Sequence, residues 1–195
     1  MKGSKLTVFN FLTISLGLYV IHSAAALPST SHACEYGPED NFRVQSPGSE
    51  YEAAVDVPGR AVTVYTTLDK EDVKWTRSFT KADPQCTKHF FSSVYLLDHG
   101  QTIVNLCKNF EVSSTSDPAL IFIRKDSTPQ IVPASAFVEE LVHVLGTPDA
   151  REKNDAESMW LQSIDSMSHE QIVLTTARGE NFEIDVATGE YRKLS

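Results

Sequence analysis

The sequence predicts a mainly β fold, an antiparallel β-meander against which one amphipathic α-helix packs. Short apolar or alternating segments recur along the chain with Gly-containing turns between them, a pattern that is typical of antiparallel sheets. One segment instead places its apolar residues at helical spacing, which indicates a helix with one buried face. The hydrophobic fraction of 41% and the charged fraction of 22% are those of a globular protein.

Alternation of apolar and polar residues predicts the first strands. Segments 51–57 and 73–79 alternate with a period of two, as half-buried strands do. Pro58 and Gly59 supply a turn, after which the β-branched segment 61–67 is predicted to return as a hairpin partner.

The later strands follow from longer apolar runs and from turn residues. Segment 119–124 is almost continuously apolar, which predicts a central strand. Gly179 and Gly189 lie in turns near the end of the chain and separate strands of a closing meander. The remaining predicted strands are 90–97, 102–107, 160–164, 171–176, 181–186 and 191–194.

The predicted helix begins near Ser135, whose hydroxyl can accept an unpaired backbone N–H. It ends at Gly146 and Pro148. Its apolar stripe is expected to lie on the sheet, and the stripe consists of Phe137, Val138, Leu141, Val142, Val144 and Leu145.

Three segments share a plan of turn, strand, turn and strand. They begin at Ser46-Pro47-Gly48-Ser49-Glu50-Tyr51, at Leu97-Asp98-His99-Gly100-Gln101-Thr102 and at Ser166-Met167-Ser168-His169-Glu170-Gln171. This plan resembles the blades of β-propeller proteins, and it is most similar to small, uncharacterised exported bacterial proteins with propeller-like strand pairs. The resemblance implies a propeller-like or sandwich-like meander and carries no catalytic residues. Because a propeller typically needs four or more blades, a partial blade set or a stacked meander is expected.

The N-terminus reads as a secretory signal peptide. Lys2 and Lys5 precede an apolar run at 6–21, and small residues at 23–26 follow it. The predicted organisation is a signal peptide at 1–26, a flexible leader at 27–42 and a single β-rich domain at 43–195. We therefore predict a secreted or periplasmic protein, cleaved after Ala26 or Ala33. A retained signal that anchors the chain is the alternative.

The net charge of −9, from 26 acidic and 17 basic residues, disfavours nucleic acid as a partner, because phosphate backbones repel such a surface. Anionic lipid surfaces are disfavoured for the same reason. The expected partner is a protein or a small molecule, and a membrane only if the signal is retained or Cys34 carries a lipid.

Three cysteines, Cys34, Cys86 and Cys107, suggest one disulfide and one free thiol in an exported chain. Cys86 with Cys107 is one pairing, and Cys34 with either partner remains open. Their spacing is not that of a zinc site.

The sequence offers few candidates for chemistry. Glu140 and His143 have the Glu-x-x-His spacing of di-metal bundles, but no second copy is present, so a solvated helix face is the preferred interpretation. His99 lies beside Asp98 in a turn and is expected to be exposed rather than catalytic. His89 lies close to Cys86, although an oxidising compartment favours a disulfide there.

No catalytic, metal-binding or cofactor-binding residue is therefore predicted with a role. The sequence favours an exported, non-catalytic binding or structural accessory protein. One alternative is an exported hydrolase or oxidoreductase with a site near Cys86, His89 and His99. The other is a membrane-tethered accessory protein.

Overall fold

A computed structural model of the chain describes residues 41–144 and 157–195. The predicted signal peptide, Cys34 and nearly all of the predicted leader lie outside these residues. In the described part, fourteen strands form four antiparallel sheets, three of four strands and one of two. The predicted antiparallel β architecture is therefore confirmed.

The first sheet is a meander in which each strand pairs with the next along the chain. Ala53 lies opposite Val64, and Val64 lies opposite Trp75, so one buried row of side chains crosses three strands. Alternation therefore directs one face of this sheet into the core. The strands are β1 (Phe42–Gln45), β2 (Tyr51–Asp56), β3 (Ala61–Thr66) and β4 (Val73–Ser78).

The second sheet repeats this meander. Its third strand is the predicted central strand, and the five residues Ala119–Ile123 are all buried, which is why that segment lacks alternation. The strands are β5 (Ser93–Leu97), β6 (Thr102–Leu106), β7 (Pro118–Arg124) and β8 (Gln130–Pro133).

The last four-stranded sheet closes the chain and is preceded by a two-stranded ribbon. The ribbon pairs β9 (Val142–Val144) with β10 (Glu157–Met159). The sheet consists of β11 (Leu161–Met167), β12 (Gln171–Thr176), β13 (Asn181–Asp185) and β14 (Tyr191–Lys193).

The prediction of an amphipathic helix packed on the sheet is wrong. Among the described residues the helical segments are 3₁₀ turns of three residues, and one of them covers Ala134–Ala136. Val138 donates to the carbonyl oxygen of Ala134 at 3.0 Å, but Val142–Val144 is a strand paired with 157–159. The apolar stripe reflects two different structures, a buried turn and a strand rich in β-branched valine, which favours extended backbone.

Two buried tryptophans and one half-buried arginine join the sheets. Trp75 Nε1 of the first sheet donates to the carbonyl oxygen of Gly100, which follows β5, at 2.8 Å. Trp160 Nε1, just before β11, donates to the Cys107 carbonyl at 3.1 Å. Arg124 of β7 donates to the Val186 carbonyl at 2.9 Å. The three four-stranded sheets therefore share one hydrophobic core.

Candidate functional site

Three turns from three different sheets meet at one place. Each connects the first strand of its sheet to the second: 46–50 joins β1 to β2, 98–101 joins β5 to β6, and 168–170 joins β11 to β12. They contribute Glu50, His99 and His169, whose potential ligand atoms all lie within 4.8 Å of one another. We refer to these three residues as the three-turn cluster.

The turn that carries His99 has an unusual backbone. Asp98 and His99 both have positive φ angles, 49° and 48°, in the left-handed region, which residues other than glycine adopt uncommonly and in which Asn, Asp and His are enriched. Gly100 follows at φ 79°, and a Cβ atom there would come within 2.7 Å of the Tyr51 ring. Glycine therefore allows this turn to pack directly against β2.

Two hydrogen bonds hold this turn in place. The Thr102 hydroxyl donates to Asp98 Oδ2 at 3.2 Å. The Asp98 backbone N–H donates to the carbonyl oxygen of His169 at 2.8 Å. The second bond fixes the turn of the second sheet to the turn of the last one and brings the two histidines together.

The two imidazole rings stack. Their centroids are 4.3 Å apart with an interplanar angle of 12°, and the His99 backbone N–H contacts His169 Nδ1 at 3.3 Å. That distance is long for a hydrogen bond to nitrogen, so the contact at Nδ1 is a weak one. The turn at 46–50 also lies close to His169, since a Cβ atom at Gly48 would lie 3.8 Å from His169 Nε2.

The cluster can be approached from solvent. Glu50 and His99 are exposed, and His169 is partly buried. Two neutral imidazole nitrogens and one carboxylate are the donors that Zn²⁺ and similar transition metals accept. An ion held at about 2.0–2.2 Å from each donor needs donor atoms no more than about 4.4 Å apart. The nitrogen lone pairs lie in the planes of two stacked rings, so these rings have to turn before both can bind one ion.

The residues singled out near Cys86 do not form one reactive group. Cys86 and Cys107 are joined in a disulfide with a Cα–Cα distance of 5.4 Å, which confirms that candidate pairing. His89 contacts buried Glu111 through Nδ1 at 2.9 Å, while His99 belongs to the three-turn cluster. Within residues 41–144 and 157–195, no hydrogen bond or ring contact links His89 with His99.

Glu140 and His143 do not share a helix face. Glu140 is exposed and pairs with Arg178 at 3.3 Å. His143 lies in β9, and its Nδ1 is 3.3 Å from the Ser158 hydroxyl of β10. The helical spacing that suggested a joint role is absent, so the Glu-x-x-His motif carries no metal site here.

Sequence reasoning missed Glu50 and His169 as partners of His99. The information was present in the internal repeat, because all three residues lie in the first turn of their segments. Only the packing of three sheets brings those turns together, and the separation of the turns in the sequence does not indicate that they meet.

Comparison with known proteins leaves the family open. No protein family matches the sequence, and no curated protein matches it. Among solved structures, a putative 6-phosphogluconolactonase from Bacteroides fragilis is similar at 11% identity and a TM-score of 0.37. The match covers 81% of this chain and 38% of that one, so this chain spans well under half of that protein. A likeness at this level says nothing about activity.

Proposed function

We propose that this protein is an extracytoplasmic, non-catalytic binding protein whose ligand is a divalent transition-metal ion held by the three-turn cluster. The observation that carries the proposal is the convergence of Glu50, His99 and His169 from three separate sheets, with donor atoms within 4.8 Å of one another. Residues on one loop are close to each other because the chain connects them. These three residues are about 50 or more positions apart in the sequence, so the fold brings them together.

The donor chemistry selects the ion. Imidazole nitrogen suits Zn²⁺, Cu²⁺ and Ni²⁺, while Ca²⁺ takes six to eight oxygen ligands and Mg²⁺ near-octahedral oxygen sites. Two imidazoles and one carboxylate leave a further coordination position for water or for a group of a partner. An exposed site of this kind fits capture or presentation of a metal at the protein surface.

The compartment is proposed on two observations. The Cys86–Cys107 disulfide is compatible with an oxidising, extracytoplasmic environment. In the described residues no helix is long and apolar enough to cross a membrane. Secretion through the predicted signal peptide and tethering through Cys34 both concern residues outside the described part and remain predictions.

The enzyme alternative has less support. It needs a reactive thiolate at Cys86, and both sulfurs of that pair are used in the disulfide and buried. His89 is engaged with Glu111, and His99 is engaged with His169. The binding proposal uses the proximity of His99 and His169 and requires their rings to leave the stack.

The test is a metal titration of the full chain after treatment with a chelator and its removal. His99→Asn suits the left-handed backbone, which asparagine tolerates, and His169→Gln keeps a polar side chain. We expect one Zn²⁺ per chain in the wild type and a loss of affinity of more than about 100-fold in either variant, because even partners of metal ligands contribute about 10- to 100-fold.

His143→Ala is the matched control, since His143 is an exposed histidine of the β9–β10 ribbon outside the cluster. It should bind Zn²⁺ as the wild type does, and Ca²⁺ should bind none of the four proteins. Equal Zn²⁺ affinity in all four, or no stoichiometric binding by a correctly folded wild type, would refute the proposal.

A further inference from the structure

A second group of polar residues lies beside the disulfide, away from the contacts of the three-turn cluster. The ammonium groups of Lys88 and Lys108 lie 5.4 and 5.9 Å from the centroid of the Phe110 ring. The His89 ring meets the same ring edge-on at 6.1 Å. We refer to Lys88, His89, Lys108 and Phe110 as the basic cluster.

The disulfide fixes the two chain segments that form this cluster. Cys86 lies two residues before Lys88, and Cys107 directly precedes Lys108, so the bond holds both lysines near one exposed ring. Phe110 is 38% exposed. An ammonium group beside an aromatic face is attracted by the ring, so Phe110 helps to hold both lysines close to it.

A buried carboxylate fixes the histidine. The Glu111 side chain is fully buried; its Oε1 lies 2.9 Å from His89 Nδ1, and its Oε2 accepts the Lys108 backbone N–H at 3.1 Å. A buried carboxyl group is costly unless it is paired and hydrogen-bonded, and both oxygens of Glu111 have such a partner. The ring nitrogen that remains for a ligand is Nε2, on a side chain that is 31% exposed.

We propose that the basic cluster binds an oxyanion, either a tetrahedral one such as sulfate or phosphate or a carboxylate. Lys88 and Lys108 supply two positive donors, and His89 Nε2 supplies a third when the ring is protonated. Charge-assisted hydrogen bonds to oxyanions are stronger than hydrogen bonds between neutral groups. On a chain of net charge −9, two lysines lie near this exposed aromatic ring. The proposal concerns a different site from the metal proposal and stands independently of it.

The experiment is a titration of the full chain with sulfate at constant ionic strength, followed by NMR chemical shifts, with acetate as the second probe. Lys88→Ala/Lys108→Ala should weaken sulfate binding at least about tenfold, because a hydrogen bond to a charged group contributes on that scale. The matched control, Lys81→Ala/Lys125→Ala, removes two exposed lysines elsewhere and changes the net charge equally. Tighter binding of sulfate than of acetate identifies a tetrahedral oxyanion, and the reverse identifies a carboxylate.

His89→Asn gives a second, independent test. The asparagine amide can still donate to Glu111 from near the position of Nδ1, while the donor at Nε2 is lost. At one fixed pH, sulfate should therefore bind His89→Asn more weakly than it binds the wild type, while the contact with Glu111 is kept.

Circular dichroism of each variant establishes that it is folded. The proposal is overturned if the folded wild type shows no saturable shifts with either anion, or if the control pair weakens binding as much as the Lys88/Lys108 pair does.

Discussion

Removing the Cys86–Cys107 disulfide should lower the free energy of unfolding by about 3.3 kcal/mol. The two cysteines are 21 residues apart, and the chain-entropy treatment assigns about 11 cal/mol/K to closing a loop of that length in the unfolded state, or about 3.3 kcal/mol at 25 °C. For a domain of this size each kcal/mol shifts the melting temperature by about 2–4 °C. The Cys86→Ala/Cys107→Ala variant should therefore melt about 7–13 °C lower.

The assay is thermal and urea unfolding of the full chain, produced in an oxidising compartment, with and without reductant. Reductant should lower the stability of the wild type to about that of the double variant and leave the double variant unchanged. Cys34→Ser is the matched control and should behave as the wild type does. A large loss in Cys34→Ser, or a double variant as stable as the oxidised wild type, would show that the loop-closure reasoning is wrong.

Two further predictions concern aromatic residues. Phe137→Ala should lower the free energy of unfolding in urea by about 3–5 kcal/mol, because this buried ring packs against Trp160 at 5.6 Å and against Phe182 at 5.3 Å. Leu68→Ala, at a fully exposed position, should change the free energy of unfolding by less than about 0.5 kcal/mol. Similar losses of stability in both variants would contradict the assigned core. Burial raises the pKa of Tyr95, so its contribution to stability is present below the usual tyrosine value of about 10 and is lost as the pH rises through its folded value. Burial also raises the pKa of Tyr65, so ultraviolet titration should find two late-ionising phenols, of which Tyr95→Phe loses one; an unchanged titration would contradict this assignment.

The strands that could be predicted are those whose pattern depends on local contacts. The alternation at 51–57 and the glycine turns near the C-terminus define hairpins through near neighbours in sequence, and β2 and β12 to β14 follow these predictions within a residue or two. The short strands β1 and β8 went unrecognised, because four residues are too few to show a period.

The helix prediction failed for a related reason. Apolar residues at 137–138, 142 and 144 have the spacing expected of a helix. The same positions are also apolar in a buried turn that is followed by a short strand. Partners far away in sequence decided between them: Phe137 packs against aromatic rings of the closing sheet, and β9 pairs with β10. Tertiary contacts of this kind override local propensity.

Among the candidate sites, too, some could be predicted from the sequence and others could not. The disulfide could be proposed because cysteine chemistry restricts the choice of partners, and the structure selects one pairing from the three that the sequence left open. The Glu-x-x-His pair depended on a helix that the structure lacks.

The sequence by itself determined an antiparallel β-rich chain with one disulfide, because alternation, turn chemistry and cysteine pairing are properties of short segments and of residue type. Only the tertiary structure decided which residues meet. Glu50, His99 and His169 lie on separate turns and become neighbours because buried side chains pack three sheets into one core. His89 likewise acquires its buried partner only when the disulfide brings 86–89 beside 107–111. Both proposed sites therefore arise from long-range packing. The internal repeat marks the three turns as equivalent, but only the packing of the whole chain makes their side chains neighbours.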